Sequence, residues 1–256
     1  MSKSNRARQE SARERIAQIR AEEARRRRRR LWLSGEGAAV VVIGLVVGLV
    51  LALSGGGAKA ASPLHLKPLS SLGSLEPAPA AGPRGPEQVP VPSAAALAST
   101  ATAVTGQAKD GISCQSSEQT LFHIHAHLTI FVNGVPRQVP AAIGIPGARA
   151  QNTANGPYVG SGTCFYWLHT HAADGIIHIE SPVQRVYTLG NFFDEWGQSL
   201  GPGQVGPAAG HVVALYNGQV YQGNPRDIPL NAHAQIQLMV GTPLIAPEQI
   251  TWPSGL

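Results

Sequence analysis

Six histidines and one glutamate in this 256-residue chain stand at spacings that suit metal coordination. Three of them alternate in Phe122-His123-Ile124-His125-Ala126-His127-Leu128-Thr129-Ile130. Side chains along a strand point to opposite faces in turn. His123, His125 and His127 therefore share one face, while Phe122, Ile124, Ala126, Leu128 and Ile130 share the other, the core face. The second group is Trp167-Leu168-His169-Thr170-His171, followed by Asp174-Gly175 and by Ile176-Ile177-His178-Ile179-Glu180. A two-residue turn at Asp174-Gly175 sets His171 opposite His178 and His169 opposite Glu180. A four-residue loop instead sets His169 opposite His178. Either register keeps His169, His171, His178 and Glu180 on one face, whereas a three-residue loop reverses the parity.

Directly opposed residues carry Cβ atoms about 5 Å apart, and imidazoles at that spacing can converge on one ion with metal–nitrogen distances of about 2 Å. Neutral imidazole is the commonest metal ligand, and a carboxylate completes the shell or orients a histidine from outside it. The candidate ligands are thus His123, His125, His127, His169, His171, His178 and Glu180. Nitrogen and oxygen donors suit Zn or Cu(II), with Fe(II) or Ni also compatible. Met1 and Met239 are the only methionines, which speaks against a methionine-rich Cu(I) carrier. Two other uses of the same residues stay open: a proton-sensing histidine cluster, and structural histidines on a wet face. By parity Phe131, Phe165 and Trp167 fall on the histidine faces, which points to a half-covered pocket with aromatic walls. The helical H-E-x-x-H zinc pattern, the Walker loop, the G-x-S-x-G elbow and a C-x-x-C pair are all absent.

The elements that must position these groups are hairpins. Asn133-Gly134 and Asn217-Gly218 each follow an apolar run, a strong signal for a two-residue hairpin turn. HLTIFVNG, from His127, and HVVALYNG, from His211, resemble each other, which a duplication or a shared hairpin grammar explains equally well. A last strand is expected over Ala234 to Val240. One short helix is expected after Thr188, a suitable N-cap, with Leu189, Phe192, Phe193 and Trp196 on one apolar face and Gly197 as its stop. Asp194 and Glu195 are expected on the helix's solvated side, and His211 and His233 as core or surface histidines. No strand–helix–strand alternation occurs, so the fold expected over residues 111–256 is mostly β: an antiparallel sandwich or barrel of hairpins with one short helix. Cys114 and Cys164 are the only cysteines. In an exported domain a disulfide between them is the default, with a pair of thiolate ligands as the rival. Such a bridge closes a loop of about 50 residues, worth about 4 kcal/mol in the chain-entropy model.

The net charge of +5 is segregated. Residues 1–30 hold Lys3 and eleven arginines against four glutamates, a net +8, whereas the chain from Asp110 onward carries a net −4. The basic balance thus belongs to a tail, and the domain lacks the electrostatic footprint of a nucleic-acid binder. Residues 1–30 read as a basic cytoplasmic segment, helical by composition, ending in Arg25–Arg30. Residues 31–53 contain an unbroken apolar run from Ala38 to Leu53 and read as a transmembrane helix, with Trp32 at the interface. The arginines fix the N-terminus in the cytoplasm and meet anionic lipid headgroups. The C-terminal domain is then outside the membrane, in a single-pass protein; cleavage near Ala60, at Ala58-Lys59-Ala60, would instead release it as a secreted protein. Residues 54–110, rich in Pro, Ala, Gly and Ser, read as a disordered linker.

The segments FHIHAHLTIFVNG, CFYWLHTHAADGIIHIESP and YTLGNFFDEWG together resemble recurring landmarks of a group of largely uncharacterised, membrane-anchored or secreted envelope proteins of bacteria and archaea. The resemblance covers most of residues 114–200. It implies an envelope location and supplies no substrate.

Three functions are compatible with these residues. The first is a membrane-anchored extracytoplasmic protein that binds Cu or Zn through the histidine cluster. The second is a metalloenzyme whose His/Glu-bound ion activates water or oxygen at an open coordination position. The third is a metal-free envelope interaction module. Four protein ligands around one ion favour binding, and three with a pocket mouth favour catalysis.

Overall fold

A computed structural model describes residues 64–256. The basic segment, the transmembrane helix, the Ala58-Lys59-Ala60 site and the first part of the linker lie outside the described residues. Among the described residues no helix is long and apolar enough to cross a membrane.

The chain enters through β1 (Leu66–Lys67) and a 3-10 turn at Leu69–Leu72. After β2 (Cys114–Gln115) comes the longest strand, β3 (Phe122–Val132), which turns at Asn133-Gly134 into β4 (Val135–Arg137). A ribbon of β5 (Arg149–Thr153) and β6 (Gly156–Ser161) precedes β7 (Phe165–Tyr166), β8 (Leu168–His169) and β9 (Ile176–Ser181). Helix α1 (Leu189–Trp196) follows, then a small meander of β10 (Leu200–Gly201), β11 (Gln204–Val205) and β12 (Ala208–Ala209). The second Asn-Gly hairpin joins β13 (Val212–Tyr216) to β14 (Gln219–Tyr221), and β15 (Ala234–Val240) closes the order.

The main sheet runs β1-β14-β13-β15-β3-β9-β8, with β4 also paired to β3. Two features correct the expected architecture. β15 pairs with β3 in parallel, Ala234 opposite Ala126 through Val240 opposite Val132, so the sheet is mixed rather than antiparallel. The sheet also ends in two edges, β1 and β8, and so does not close into a barrel. The reason lies in β3, whose eleven residues are long enough to pair with β9 at one end, with β4 at the other and with β15 along its far edge.

Both hairpin turns form as the dipeptides require. Asn133 and Gly134 have φ of 50° and 76°, Asn217 and Gly218 of 49° and 77°, the left-handed pair that a two-residue turn demands and that Asn-Gly supplies at least cost. Helix α1 has the expected bounds. The Thr188 side chain accepts from the Asn191 amide, and Gly197 ends the helix at φ 70°.

The faces of β3 divide by parity. Ala126, Leu128 and Ile130 join Ile177, Ile179, Ile236, Leu238 and the apolar face of α1 in the principal core. On the other face the histidine row runs into a smaller cluster of Phe131, Leu215, Val220, Met239 and Ile245. Burying these large apolar side chains contributes about 1.5–3 kcal/mol each. From Leu64 onward, the segment read as a linker is packed along the domain. β1 pairs with β14, Ala96 bridges to Gln138, and Val89 and Leu97 are buried. Its proline-rich composition precludes long ladders, but single bridges and buried apolar side chains hold it.

Cys114 and Cys164 are joined, with Cα atoms 5.5 Å apart. The bridge ties β2 to the residue before β7, and so anchors the stretch that leads into His169.

Candidate metal centre

β3 and β9 bring the two histidine groups together. They pair antiparallel with His123 opposite Glu180, His125 opposite His178 and His127 opposite Ile176. On the far side of β9, His169 stands opposite His178 and Leu168 opposite Ile179, the register of a four-residue loop rather than a two-residue turn. His178 thus lies between His125 and His169 in three adjacent strands. His171 follows β8, where the chain has left the sheet, and is held by β6: Val159 donates its amide to the His171 carbonyl at 2.9 Å and accepts from His171 Nδ1 at 2.5 Å.

One set of donor atoms is tight. His123 Nε2 and His125 Nε2 are 3.1 Å apart, as are His125 Nε2 and His178 Nδ1. Glu180 Oε1 lies 2.9 Å from His123 Nε2 and 3.6 Å from His178 Nδ1. Ligands about 2.0–2.1 Å from a common ion are about 2.9 Å apart at right angles and about 3.3 Å apart in a tetrahedron. The four observed spacings bracket those values. Hydrogen bonding alone serves this geometry poorly. The single proton or lone pair of His125 Nε2 aligns with only one of its two nitrogen neighbours, whereas a cation among them serves all.

Surrounding groups fix which nitrogen faces the centre. His178 Nε2 lies 2.7 Å from Glu87 Oε1, a buried contact that leaves Nδ1 facing the centre. His169 Nδ1 donates to the Tyr166 carbonyl at 2.8 Å, and His171 Nδ1 to Val159, so both Nε2 atoms turn inward. A ring held by its far nitrogen is the common support of a metal-ligating histidine. Nε2 of His169 and Oε2 of Glu180 are buried without a hydrogen-bond partner among the described residues. Leaving such a group unpaired costs about 1–3 kcal/mol, and an ion removes that cost.

Burial keeps three of the rings in the neutral form that a cation needs. Burial, then the nearby His178 and His123, lowers the His125 pKa to about 3. Burial likewise holds His169 well below the usual histidine range and lowers His171. Those three rings are therefore neutral, as ligands must be. Burial also works against the charge of His178, but hydrogen bonds to Glu180 and Glu87 outweigh it and bring its pKa up to about 9, so His178 must release a proton before its Nδ1 can take an ion. Burial opposes the charge of Glu180 too; His178 and His123 nevertheless lower its pKa. Only His123 reaches solvent appreciably, with 37% of its side chain exposed.

The structure places the seven sequence candidates unequally. His123, His125, His178 and Glu180 form the tight set. His169 and His171 adjoin it, and form a further group with His178 whose donor atoms lie within 4.8 Å of one another. His127 takes no part in these groups. Its Nε2 donates to the Asp174 carbonyl at 2.9 Å, because β9 begins there and offers Ile176 rather than a donor. His233 stacks on Trp252, with ring centroids 4.6 Å apart. Of the expected aromatic walls, Phe165 meets His169 edge-on at 5.8 Å. Trp167 instead joins the principal core, since the chain breaks between β7 and β8 and parity resets there.

Sequence reasoning missed two carboxylates. Glu87 stands at the tip of a small turn in which Gly85 and Val89 are bonded backbone to backbone and Arg84 bridges to Pro90. Gly85-Pro86 was a legible turn signal, though nothing in it pointed to His178. Glu118 lies in the loop between β2 and β3, its Oε1 3.6 Å from His171 Nε2.

No family model, no curated protein and no solved structure matches the chain.

Proposed function

We propose that this chain is a membrane-anchored, extracytoplasmic protein that binds a divalent transition-metal ion, Cu(II) or Zn(II), through His123, His125, His178 and Glu180. The observation that carries this reading is the four contacts that link those donors, 2.9–3.6 Å long, in the range of the edges of a coordination shell. Three imidazoles and one carboxylate are a donor set that both metals accept. Four protein ligands fill a tetrahedral shell, which favours holding and passing on an ion over catalysis at an open position. Solvent-facing His123 is the ligand through which an ion enters and leaves.

The location rests on the apolar run from Ala38 to Leu53, the preceding arginines, and the resemblance of the histidine-rich strings to envelope proteins. The Cys114–Cys164 disulfide agrees with an oxidising compartment. The test is elemental analysis of the purified full chain after reconstitution with Zn(II) or Cu(II), beside a His123→Ala/His125→Ala/His178→Ala variant. Stoichiometric metal in the wild type and its loss from the variant are expected. A wild type that holds no Zn or Cu overturns the proposal. N-terminal sequencing of the mature protein tests the anchor, and a start at Ala61 would make it a released protein.

A further inference from the structure

The donors sort into two sets, and Glu180 belongs to both. Its Oε1 faces His123 and His178, while its Oε2 lies 3.9 Å from His169 Nε2. A further pair, His171 Nε2 and Glu118 Oε1, lies 3.6 Å apart. Glu118, His169 and Glu180 each offer a ligand atom within 4.8 Å of the other two, as do His169, His171 and His178. Both Nε2 atoms of this second set are freed by Nδ1–H donation to backbone carbonyls, and Tyr158 stacks on His171 with centroids 4.9 Å apart. Two of the buried atoms without partners among the described residues, His169 Nε2 and Glu180 Oε2, both belong to it.

One ion cannot use all of these atoms. A shell about 2 Å in radius reaches donors at most about 4 Å apart, and the two oxygens of Glu180 are aimed at different nitrogens. A carboxylate that offers one oxygen to each of two ions is the geometry of a two-metal site, where the ions sit about 3.5–4 Å apart. Charge agrees: Glu87, Glu118 and Glu180 balance two divalent ions to within one unit of charge.

We propose that the centre is binuclear: one ion is held by His123, His125, His178 Nδ1 and Glu180 Oε1, a second by His169, His171, Glu118 and Glu180 Oε2, with Glu180 as the bridge. This rests on the metal-binding reading above and extends it. The His169–Glu180 and His171–Glu118 contacts of the second set, 3.9 and 3.6 Å, are longer than most of the first set's, 2.9–3.6 Å, so the second ion binds more weakly and must draw its set inward.

The full chain is titrated with Zn(II) against a chromophoric chelator, and with Cu(II) followed by electron paramagnetic resonance. Two equivalents of Zn(II) are expected in the wild type, and one each in His123→Ala/His125→Ala and in His169→Ala/His171→Ala. The first equivalent of Cu(II) gives a signal that accounts for all the copper. The second lowers the signal per copper through spin coupling across Glu180. One equivalent in the wild type, or two uncoupled coppers, overturns the binuclear centre and leaves the single-ion function standing. No bound metal overturns both. Retention of two equivalents by a folded His169→Ala/His171→Ala variant also overturns it. Should a variant fail to fold, the wild-type stoichiometry and coupling decide alone.

Discussion

Glu87 provides a sharp test of the metal centre, because it contacts no ion and lies 91 residues from the histidine it supports. Its Oε1 lies 2.7 Å from His178 Nε2, and both side chains are nearly buried, at 6% and 7% exposure. That contact selects the Nδ1 lone pair for the ion and raises its basicity. Removing such an outer carboxylate typically weakens metal binding about 10- to 100-fold, equivalent to about 1.4–2.7 kcal/mol. Glu87→Gln keeps the shape and an accepting oxygen but loses the charge, so its Kd for Zn(II) should rise about 10-fold. Glu87→Ala removes the acceptor altogether and should approach about 100-fold. Neither change removes a ligand, so stoichiometry is unchanged. Competition against a chromophoric chelator at fixed pH reads the affinity. Glu76→Gln, on an exposed part of the same segment, is the control and should stay near the wild-type value. A folded Glu87→Ala protein that binds Zn(II) within twofold of wild type would show that His178 is not oriented for an ion, and the tight set would lose its central member.

Three further outcomes concern the scaffold. Glu195 is fully buried, both carboxyl oxygens lack partners among the described residues, and burial, aided by Asp110, holds its pKa well above 4.5. The folded state therefore keeps a proton that the unfolded state loses above pH 4.5, and stability falls by about 1.4 kcal/mol per pH unit from there up to the folded pKa. Glu195→Gln should flatten that slope, stabilising the protein at pH 7 and leaving it unchanged near pH 4; denaturant unfolding across pH checks the sign. Replacing Cys114 and Cys164 together by Ser opens a loop of 50 residues and should cost about 4 kcal/mol, a fall of about 10 °C in Tm by differential scanning calorimetry. Gly144 has φ 71°, and a Cβ there would sit 2.2 Å from the Leu168 carbonyl oxygen and 3.0 Å from His169 Cβ. Gly144→Ala should therefore destabilise by about 2–3 kcal/mol, whereas Gly201→Ala, with open space around it, should be nearly silent in the same thermal melts.

Much of the fold was legible where a local rule acts alone. The Asn-Gly turns, the Thr188 cap, the Gly197 stop and the two faces of β3 all follow from chemistry within a few residues. What pairs with what was not legible. The parallel β15–β3 ladder joins residues more than a hundred positions apart, and no pattern in either strand distinguishes a parallel neighbour from an antiparallel one. Glu195 shows the same limit on one helix. Its flank looked solvated, but the stretch from Ser99 to Val104 covers it: Val104 donates to the Glu195 carbonyl, and Trp196 Nε1 donates to Ser99.

The metal centre divides in the same way. Donors on β3, β8 and β9 were legible, since parity puts alternate residues on one face whatever the neighbouring strand. The register between β8 and β9 was not, because loop length decided whether Glu180 or His178 faced His169. Parity also over-counted: it gave His127 the same face as His123 and His125, but a face is longer than a coordination shell, and β9 begins there with Ile176, which is no donor. Conversely, Glu87 and Glu118 come from turns with no period, and only the folded chain brings them to His178 and His171. The tight set is thus strand-borne, with an exposed edge at His123, while the wider set depends on one loop glutamate, half-exposed Glu118. Glu118→Ala should therefore abolish the weaker equivalent of metal and leave the stronger one within about threefold of its wild-type Kd, as for a contact outside its shell. Loss of both equivalents in a folded Glu118→Ala protein would mean that the two sets are one site.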